Sequence, residues 1–124
     1  MSKNVLVIDD EHDIRALVCK FLSKKGFSAM AAKNGWQGMR MALRFAPDII
    51  LLDIGMPWIN GFTVLKKLKA SEKTVSIPVI MLTGRVDDES KMTASSLYNE
   101  CYITKPFDLE ELESKIKEIL KIST

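Results

Sequence analysis

The feature that most constrains the fold is an alternation of short apolar runs with longer segments of helical period. Val5–Ile8 and Ile49–Leu52 are continuously apolar, and Ile77–Leu82 is interrupted only by Pro78. Short apolar runs without alternation are typical of strands buried on both faces. Phe27–Ala32 and Cys101–Thr104 are weaker strand candidates. Five strands are therefore expected.

The segments between these runs predict helices. Asn34 with Gln37, and Asp108 with Glu111, have the spacing of a capping box at a helix start. Apolar residues recur at three- and four-residue intervals in each segment. Helices are predicted over Ile14–Leu22 with an end near Gly26, from Asn34 to about Phe45, from about Phe62 to Ala70, after Asp87 and after Asp108.

A strand followed by a helix, repeated five times, predicts an α/β protein with a parallel sheet covered by helices on both faces. Right-handed crossovers reduce the topologies to a doubly wound open sheet. The length of 124 residues favours one domain, spanning 1–124. No linker, low-complexity tract or repeat other than the strand-helix unit divides the chain.

Composition excludes several classes of protein. The net charge of +2 does not predict the electrostatic attraction of a nucleic-acid binder. No apolar run approaches the roughly 20 residues of a membrane span, and the first residues lack the pattern of a signal peptide. Cys19 and Cys101 form no CxxC motif and have no paired histidine, so neither a zinc site nor a redox motif is indicated. A cytoplasmic protein that binds neither DNA nor a membrane is expected.

The candidate site lies where the strands end, since ligands of open parallel sheets bind outside the carboxyl ends of the strands. Asp9 and Asp10 follow the first strand, and Asp53 follows the third. Two like charges about 4 Å apart repel by roughly 4 kcal/mol at an effective dielectric near 20, so this cluster needs a cation or a proton. Oxygen ligands without histidine or cysteine favour Mg²⁺.

The remaining strand ends add groups that suit phosphoryl chemistry. Thr83 and Gly84 follow the fourth strand, and Lys105 and Pro106 follow the fifth. A carboxylate beside Mg²⁺ and an ammonium group can attack a phosphoryl group, with the cations offsetting charge on its oxygens. Each residue alone has a commoner explanation as a turn, a helix cap or a solvated side chain. The prediction rests on the set.

These residues resemble the receiver domain of two-component response regulators, over about Asn4 to Ile122. Four motifs carry the resemblance, and they are Val5-Leu6-Val7-Ile8-Asp9-Asp10-Glu11, Leu51-Leu52-Asp53-Ile54-Gly55-Met56-Pro57 with Gly61, Met81-Leu82-Thr83-Gly84, and Tyr102-Ile103-Thr104-Lys105-Pro106-Phe107. The resemblance implies a five-stranded, flavodoxin-like sheet of strand order 2-1-3-4-5.

The resemblance also implies a role for each site residue. Asp53 matches the phosphoacceptor, which receives its phosphoryl group from a histidine kinase or a histidine phosphotransferase. Asp9 and Asp10, with Asp53 and the backbone carbonyl of Gly55, match the ligands of Mg²⁺, for which Mn²⁺ can substitute. Lys105 matches the lysine that contacts the phosphoryl group.

Further implied roles concern switching. The peptide bond before Pro106 is expected to be cis, a form that proline permits. Thr83, followed by Gly84, and Tyr102 match the hydroxyl and aromatic ring that move on phosphorylation. That movement reshapes the surface of the fourth helix, fifth strand and fifth helix, which controls a downstream protein, a fused effector domain or a homodimer. Such a domain catalyses only its own phosphotransfer and dephosphorylation.

The chain departs from the family pattern in places. Gly84 stands where alanine is usual, and Tyr98-Asn99 stand where Gly-Ala is common, which predicts a left-handed Asn99. Gly55 and Arg85 occupy variable positions that line the route of water to the acyl phosphate. We expect Gly55 to leave this route open and Arg85 to shield it or to pair with the phosphoryl group.

Three alternatives compete with this interpretation. A docking module that needs no phosphorylation would not require the complete set of acids, hydroxyl and lysine. A phosphohydrolase of the haloacid dehalogenase type requires a second acid two residues after its nucleophile, where this chain has Gly55. A nicotinamide-binding domain requires a glycine-rich turn after the first strand, where this chain has Asp9 and Asp10.

Trp58 follows the candidate nucleophile by five residues. The favoured expectation is that its ring lies on the neighbouring helix. The alternative is that it contacts a kinase or phosphotransferase.

Overall fold

The computed structural model describes residues 2–84 and 101–122. Its strands are β1 (Asn4–Ile8), β2 (Ser28–Ala32), β3 (Ile49–Asp53), β4 (Val79–Thr83) and β5 (Cys101–Thr104). Its helices are α1 (His12–Lys24), α2 (Gly35–Phe45), α3 (Gly61–Lys69) and α4 (Leu109–Leu120). The helix predicted after Asp87 lies outside the described residues, so α4 is the helix that the sequence places fifth.

The five strands form one parallel sheet of order β2-β1-β3-β4-β5, which confirms the predicted fold class and strand order. The register aligns the carboxyl ends of the central strands, with Ile8 opposite Leu52 and Asp53 opposite Leu82. Thr83 and Thr104 are opposite each other at the ends of β4 and β5. The residues that follow these strands therefore emerge along one edge of the sheet.

Two apolar layers cover the sheet. Residues on one face of the strands pack against α2 and α3, through Ala42, Val64 and Leu68. Residues on the other face pack against α1 and α4, through Leu22 and Leu112. The central strands β1, β3 and β4 contribute to both layers, which is why their sequences are apolar without alternation.

The helices α2 and α4 begin at the predicted capping residues, but the hydrogen bonds differ from those of a capping box. Asn34 caps α2 by accepting a hydrogen bond from the Gln37 backbone N–H at 2.8 Å. The Gln37 side chain accepts from the Lys33 N–H, one residue earlier than a strict capping box requires. Asp108 caps α4 by accepting from the Glu110 N–H at 2.9 Å, not from Glu111.

The strand predicted at Ile77–Leu82 instead runs from Val79 to Thr83. Pro78 has no N–H to donate, and its part in the ladder is limited to its carbonyl, which accepts from the Ile50 N–H at 3.0 Å. Cys19 and Cys101 are free thiols. Within residues 2–84 and 101–122, none of the helices has the length and apolar character needed to cross a bilayer.

Candidate functional site

Asp9 is a fully buried carboxylate just beyond β1. Its Oδ1 accepts a hydrogen bond from the Glu11 backbone N–H at 2.9 Å, and its backbone N–H donates to the Ala32 carbonyl at 3.1 Å. The Arg15 guanidinium donates to the Asp9 carbonyl oxygen at 2.9 Å. These contacts from β2 and α1 hold Asp9 in one position.

Asp53 is the last residue of β3, and its side chain is almost completely buried. Its Oδ1 accepts from the Gly55 backbone N–H at 3.2 Å. The following loop returns closely against this strand end, because the Gly61 N–H donates to the Ile54 carbonyl at 2.9 Å. A Cβ on Gly61 would lie 2.5 Å from the Asp53 carbonyl oxygen, so the close approach requires glycine.

Lys105 joins the strand ends. Its Nζ donates to Asp9 Oδ2 at 2.9 Å and lies 3.5 Å from Asp53 Oδ1. The Lys105 backbone N–H donates to the Thr83 carbonyl at 2.6 Å, which fixes the end of β5 to the end of β4. The Lys105–Pro106 peptide bond is cis, the form that the resemblance implies.

The charges at the site are only partly balanced. Burial raises the pKa of the Asp53 carboxyl to about 6, and the negative charge of Asp9 adds to this increase, whereas the Lys105 ammonium offsets part of it. Burial alone would lower the pKa of Lys105, but its hydrogen bond to Asp9 and the charge of Asp53 raise it overall. The lysine therefore stays protonated, and the acids still favour additional positive charge.

Asp10 completes a cluster that suits a divalent cation. One carboxylate oxygen from each of Asp9, Asp10 and Asp53 lies within 4.8 Å of the others. Asp10 is exposed whereas the other two are buried, so the cluster opens to solvent on one side. An all-oxygen, strongly negative donor set with access to water is what Mg²⁺ binds, since this ion retains part of its hydration shell. The residues present therefore fit the implied metal.

The structure places the other predicted residues around this cluster. Thr83 is buried at the end of β4, and Gly84 is exposed beside Lys105. A Cβ on Gly84 would lie 3.7 Å from Lys105 Cβ, an ordinary contact, so alanine would also fit here. Tyr102 lies half-buried on β5 opposite Met81 and packs on the layer beneath α2 and α3. Arg85, Tyr98 and Asn99 lie outside the described residues.

Two residues that the sequence analysis did not place in the site contribute to it. Glu11 has its Oε1 3.5 Å from Lys105 Nζ, although at the start of α1 its side chain forms no cap hydrogen bond. Arg15 holds the Asp9 carbonyl, as described above. An acid and an arginine four residues apart on a helix are too common to indicate these contacts from sequence.

The expectation that the Trp58 ring lies on the neighbouring helix is wrong. The side chain is 93% exposed, and the backbone is left-handed with φ of 66°. This conformation costs a residue other than glycine or asparagine about 1–2 kcal/mol. The loop therefore holds an indole ring in solvent close to Asp53.

A groove of about 480 Å³ borders the site on the side of α1. Its apolar walls come from Ile14 and Leu17 of α1 and from Pro106 and Phe107 after β5, and Lys105 reaches its inner end. Leu17 is 51% exposed.

The sheet and its strand-end cluster define a class of phosphoryl-accepting signalling domain. In agreement, the family model for the response regulator receiver domain matches residues 5–117. The chain belongs to the response regulator receiver domain family.

Two curated relatives are transcriptional regulators. The DNA-binding dual master transcriptional regulator RpaA of Synechocystis is 36% identical over 117 residues, which cover 94% of this chain and 48% of that protein. The phosphate regulon regulatory protein PhoB of Escherichia coli is 36% identical over 121 residues, which cover 98% of this chain and 53% of that protein. The chain thus spans about half the length of these relatives.

Solved structures agree in fold over nearly their whole length. Chemotaxis protein CheY4 of Vibrio cholerae has a TM-score of 0.87 at 26% identity and covers 96% of this chain and 99% of its own. A CheY-like receiver domain protein from Methanospirillum hungatei has a TM-score of 0.88 at 26% identity and covers 98% of this chain and 95% of its own. This chain is therefore a receiver domain in fold as well as in sequence.

Proposed function

We propose that Asp53 is the phosphoacceptor of this receiver domain. The observation that carries the proposal is the position of Asp53 Oδ1, 3.5 Å from the Lys105 ammonium and in one cluster with the carboxylates of Asp9 and Asp10. A carboxylate so placed can act as a nucleophile while nearby cations neutralise the charge of the incoming group.

In the proposed reaction, an Asp53 carboxylate oxygen forms a bond to phosphorus as the bond to the donor's leaving group breaks. With a phosphohistidine donor, the imidazole nitrogen leaves with the electron pair and then takes a proton. Lys105 Nζ, already within reach of Asp53, binds a phosphoryl oxygen as the acyl phosphate forms. The Thr83 hydroxyl lies at the adjacent strand end and is proposed to bind a second oxygen.

The proposed Mg²⁺ ligands are Asp9, Asp10, Asp53 and the backbone carbonyl of Gly55, and Mn²⁺ could occupy the same oxygen site. When bound, the ion would supply positive charge at the phosphoryl oxygens. Asp9 would retain its hydrogen bond from the Glu11 N–H, which fixes one of its oxygens. Gly55 leaves space beside the nucleophile, because a Cβ there would meet no atom within 4 Å. Water can reach the acyl phosphate on this side, which supports slow self-catalysed dephosphorylation.

The proposed output depends on β4 and β5. Because the Lys105 N–H bonds to the Thr83 carbonyl, a movement of Thr83 toward the phosphoryl group is coupled to the end of β5. Tyr102 lies on that strand and is proposed to turn inward in response. The reshaped surface would control a downstream protein, an effector domain or a homodimer, and the phosphoryl donor would be a histidine kinase or histidine phosphotransferase.

Intact mass spectrometry with a small acyl phosphate and MgCl₂ tests the acceptor. The wild-type chain should gain the mass of one phosphoryl group, and Asp53→Asn should gain none because an amide is not a competent nucleophile. Asp13→Asn, at an exposed position in the first turn of α1, is the matched control and should be modified like the wild type.

An unmodified wild-type chain, tested also with a cognate kinase, would overturn the proposal in favour of phosphorylation-independent docking. Modification of Asp53→Asn to the wild-type extent would place the acceptor elsewhere. Neither that docking function nor a phosphohydrolase is favoured by a specific feature of the described residues.

A further inference from the structure

The helix α2 carries large, half-exposed apolar side chains that the receiver function does not use. Trp36 is 52% exposed, Leu43 is 47% exposed and Phe45 is 49% exposed. Trp36 and Leu43 are seven residues apart, so they lie on the same side of the helix, whereas Phe45 lies at its carboxyl end, half a turn around from Trp36. Gly38 and Ala42 are buried against the sheet. Exposed apolar clusters of this kind mark interaction sites.

The surface is concave. A cavity of about 550 Å³ is lined along α2 by Gln37, Arg40, Met41, Leu43, Arg44 and Phe45. A second cavity of about 280 Å³ lies between α2 and α3, where Leu43 and Met39 face Leu68 and Thr74. Leu43 lines both cavities, and we call the two together the α2 groove. A groove accepts side chains that project from a folded segment of a partner. A membrane-binding surface instead inserts its own projecting side chains into the lipid.

The charge around the α2 groove has one sign. Its lining residues include Arg40, Arg44 and Lys67 and contain no acid. In the part of the chain that the structure describes, none of these three cations forms an ion pair, and the Arg44 guanidinium instead lies 5.5 Å from the centre of the Phe45 ring. The α2 sequence itself contains no acidic residue. Positive charge beside exposed apolar surface is complementary to an acidic, amphipathic partner.

We propose that the α2 groove is a docking site for an acidic amphipathic helix of a partner protein. Apolar side chains of that helix would enter the groove around Leu43 and pack against Trp36. Its carboxylates would pair with Arg40, Arg44 and Lys67. The proposal does not depend on the phosphoacceptor role of Asp53.

The position of the α2 groove separates it from the active site. α2 and α3 cover one face of the sheet, whereas the groove beside Asp53 is formed with α1, which covers the other face. A partner in the α2 groove and a phosphoryl donor in the groove beside α1 would therefore contact different layers of the molecule. Both can bind at once.

Nuclear magnetic resonance titration of the full chain with a panel of synthetic helical peptides tests the proposal. The peptides carry leucines at intervals of three and four residues with glutamates elsewhere, and a second panel replaces every glutamate with lysine. We expect saturable shifts from the acidic panel that concentrate at the Trp36 indole and at residues 36–45 and 67–74. The lysine panel should bind at least about tenfold more weakly.

Two leucines of similar exposure supply matched variants. Leu43→Glu and the double variant Arg40→Glu, Arg44→Glu should each weaken binding of the acidic peptide at least about tenfold. Leu17→Glu, on α1, should bind like the wild type. Leu43→Glu should keep the dispersed amide spectrum of the wild type outside the α2 groove, which shows that the variant is folded.

Several outcomes would overturn the proposal. These are no saturable binding to any acidic peptide, equal binding of the lysine panel, shifts centred on α1, or wild-type binding by Leu43→Glu. Co-sedimentation with phosphatidylserine vesicles that Leu43→Glu abolishes would assign the surface to a membrane. Concentration-dependent dimerisation that Leu43→Glu abolishes would assign it to a second copy of this chain.

Discussion

Asp9 and Asp10 are adjacent in the chain but lie in opposite environments. Asp9 is buried and accepts hydrogen bonds from a backbone N–H and from Lys105, whereas Asp10 is exposed. Lys105 contacts Asp9 and Asp53. Asp10 therefore adds negative charge at the open side of the cluster, where a hydrated cation would enter.

Replacing Asp10 tests this arrangement without relying on phosphorylation. Without metal, Asp10→Asn should raise the free energy of unfolding by about 1 kcal/mol, because one of three clustered like charges is removed. The additional stability that MgCl₂ gives the wild-type chain should be largely lost, since that increase grows with metal affinity. Urea unfolding with EDTA or with MgCl₂ measures both effects, with Asp13→Asn as the control. A full Mg²⁺-dependent increase in Asp10→Asn would exclude Asp10 as a ligand.

The left-handed backbone at position 58 is less favourable for tryptophan than for asparagine. Trp58→Asn should raise the free energy of unfolding by about 0.5–1 kcal/mol, because asparagine adopts the left-handed conformation more readily. Little stability should be lost with the ring, since the exposed indole buries little apolar surface. Phosphorylation by a small acyl phosphate should be unchanged. Thermal or urea unfolding checks the first expectation, and a lower stability of Trp58→Asn would show that the ring stabilises the fold.

For single residues, the sequence predicted contacts well where the topology of the sheet alone brings the residues together. The meeting of Asp9, Asp10 and Asp53 follows from the alignment of parallel strand ends, and so does their approach to Lys105. The exposure of Trp58 could not be predicted, because it depends on the backbone angle of one loop residue. The contact of Arg15 with the Asp9 carbonyl depends in the same way on one rotamer.

Among the elements, the loop between β3 and α3 is the one most tightly constrained by the site. Gly61 begins α3, and its Cα lies directly against the backbone of Asp53 and Ile54. A Cβ at position 61 would clash with backbone atoms of Asp53 and Ile54, which cannot move aside as a flexible side chain can.

Gly61→Ala should therefore lower the free energy of unfolding by about 2 kcal/mol or more, although alanine is normally the better helix former. It should also slow phosphorylation of Asp53, because the clash falls on the carbonyl of that residue. Gly55→Ala is the matched control, since its Cβ would meet open space. Equal stability of the two variants in urea would contradict the close packing that the structure shows.

Sequence predicted the elements better than their ends. Apolar period and capping residues located the strands and helices of the described chain, because burial of one face or two leaves a clear pattern. The ends depend on individual hydrogen bonds. Gln37 accepts from the N–H of Lys33, and β4 begins at Val79, directly after Pro78.

At the scale of the molecule, the groove beside α1 and the α2 groove lie on opposite layers and differ in charge. The groove on the α1 side contains Glu11 and Lys105 and leads to Asp53, whereas the α2 groove is lined by cations without acids. Residues of comparable exposure, Leu17 and Leu43, mark the two grooves.

We expect substitutions of Leu17 and Leu43 to affect different functions, phosphotransfer from a protein donor and docking in the α2 groove. Leu17→Glu should slow phosphotransfer from a histidine kinase or phosphotransferase at least about tenfold, because a charge would be buried at the docking contact. Phosphorylation by a small acyl phosphate, which needs no such contact, should be unaffected. Leu43→Glu should leave both rates unchanged. Rapid-quench measurement of both donors distinguishes these cases, and an equal effect of the two variants on the protein donor would show that the grooves are not independent.

The hydrogen bond between Lys105 and Asp9 joins residues 96 positions apart in the chain. During synthesis the ribosome therefore releases the acids of β1 and β3 long before it releases their cation. A nascent chain that has emerged only as far as β3 contains both acids but not yet the lysine that contacts them in the folded protein. The complete strand-end cluster therefore forms only after synthesis has passed Lys105.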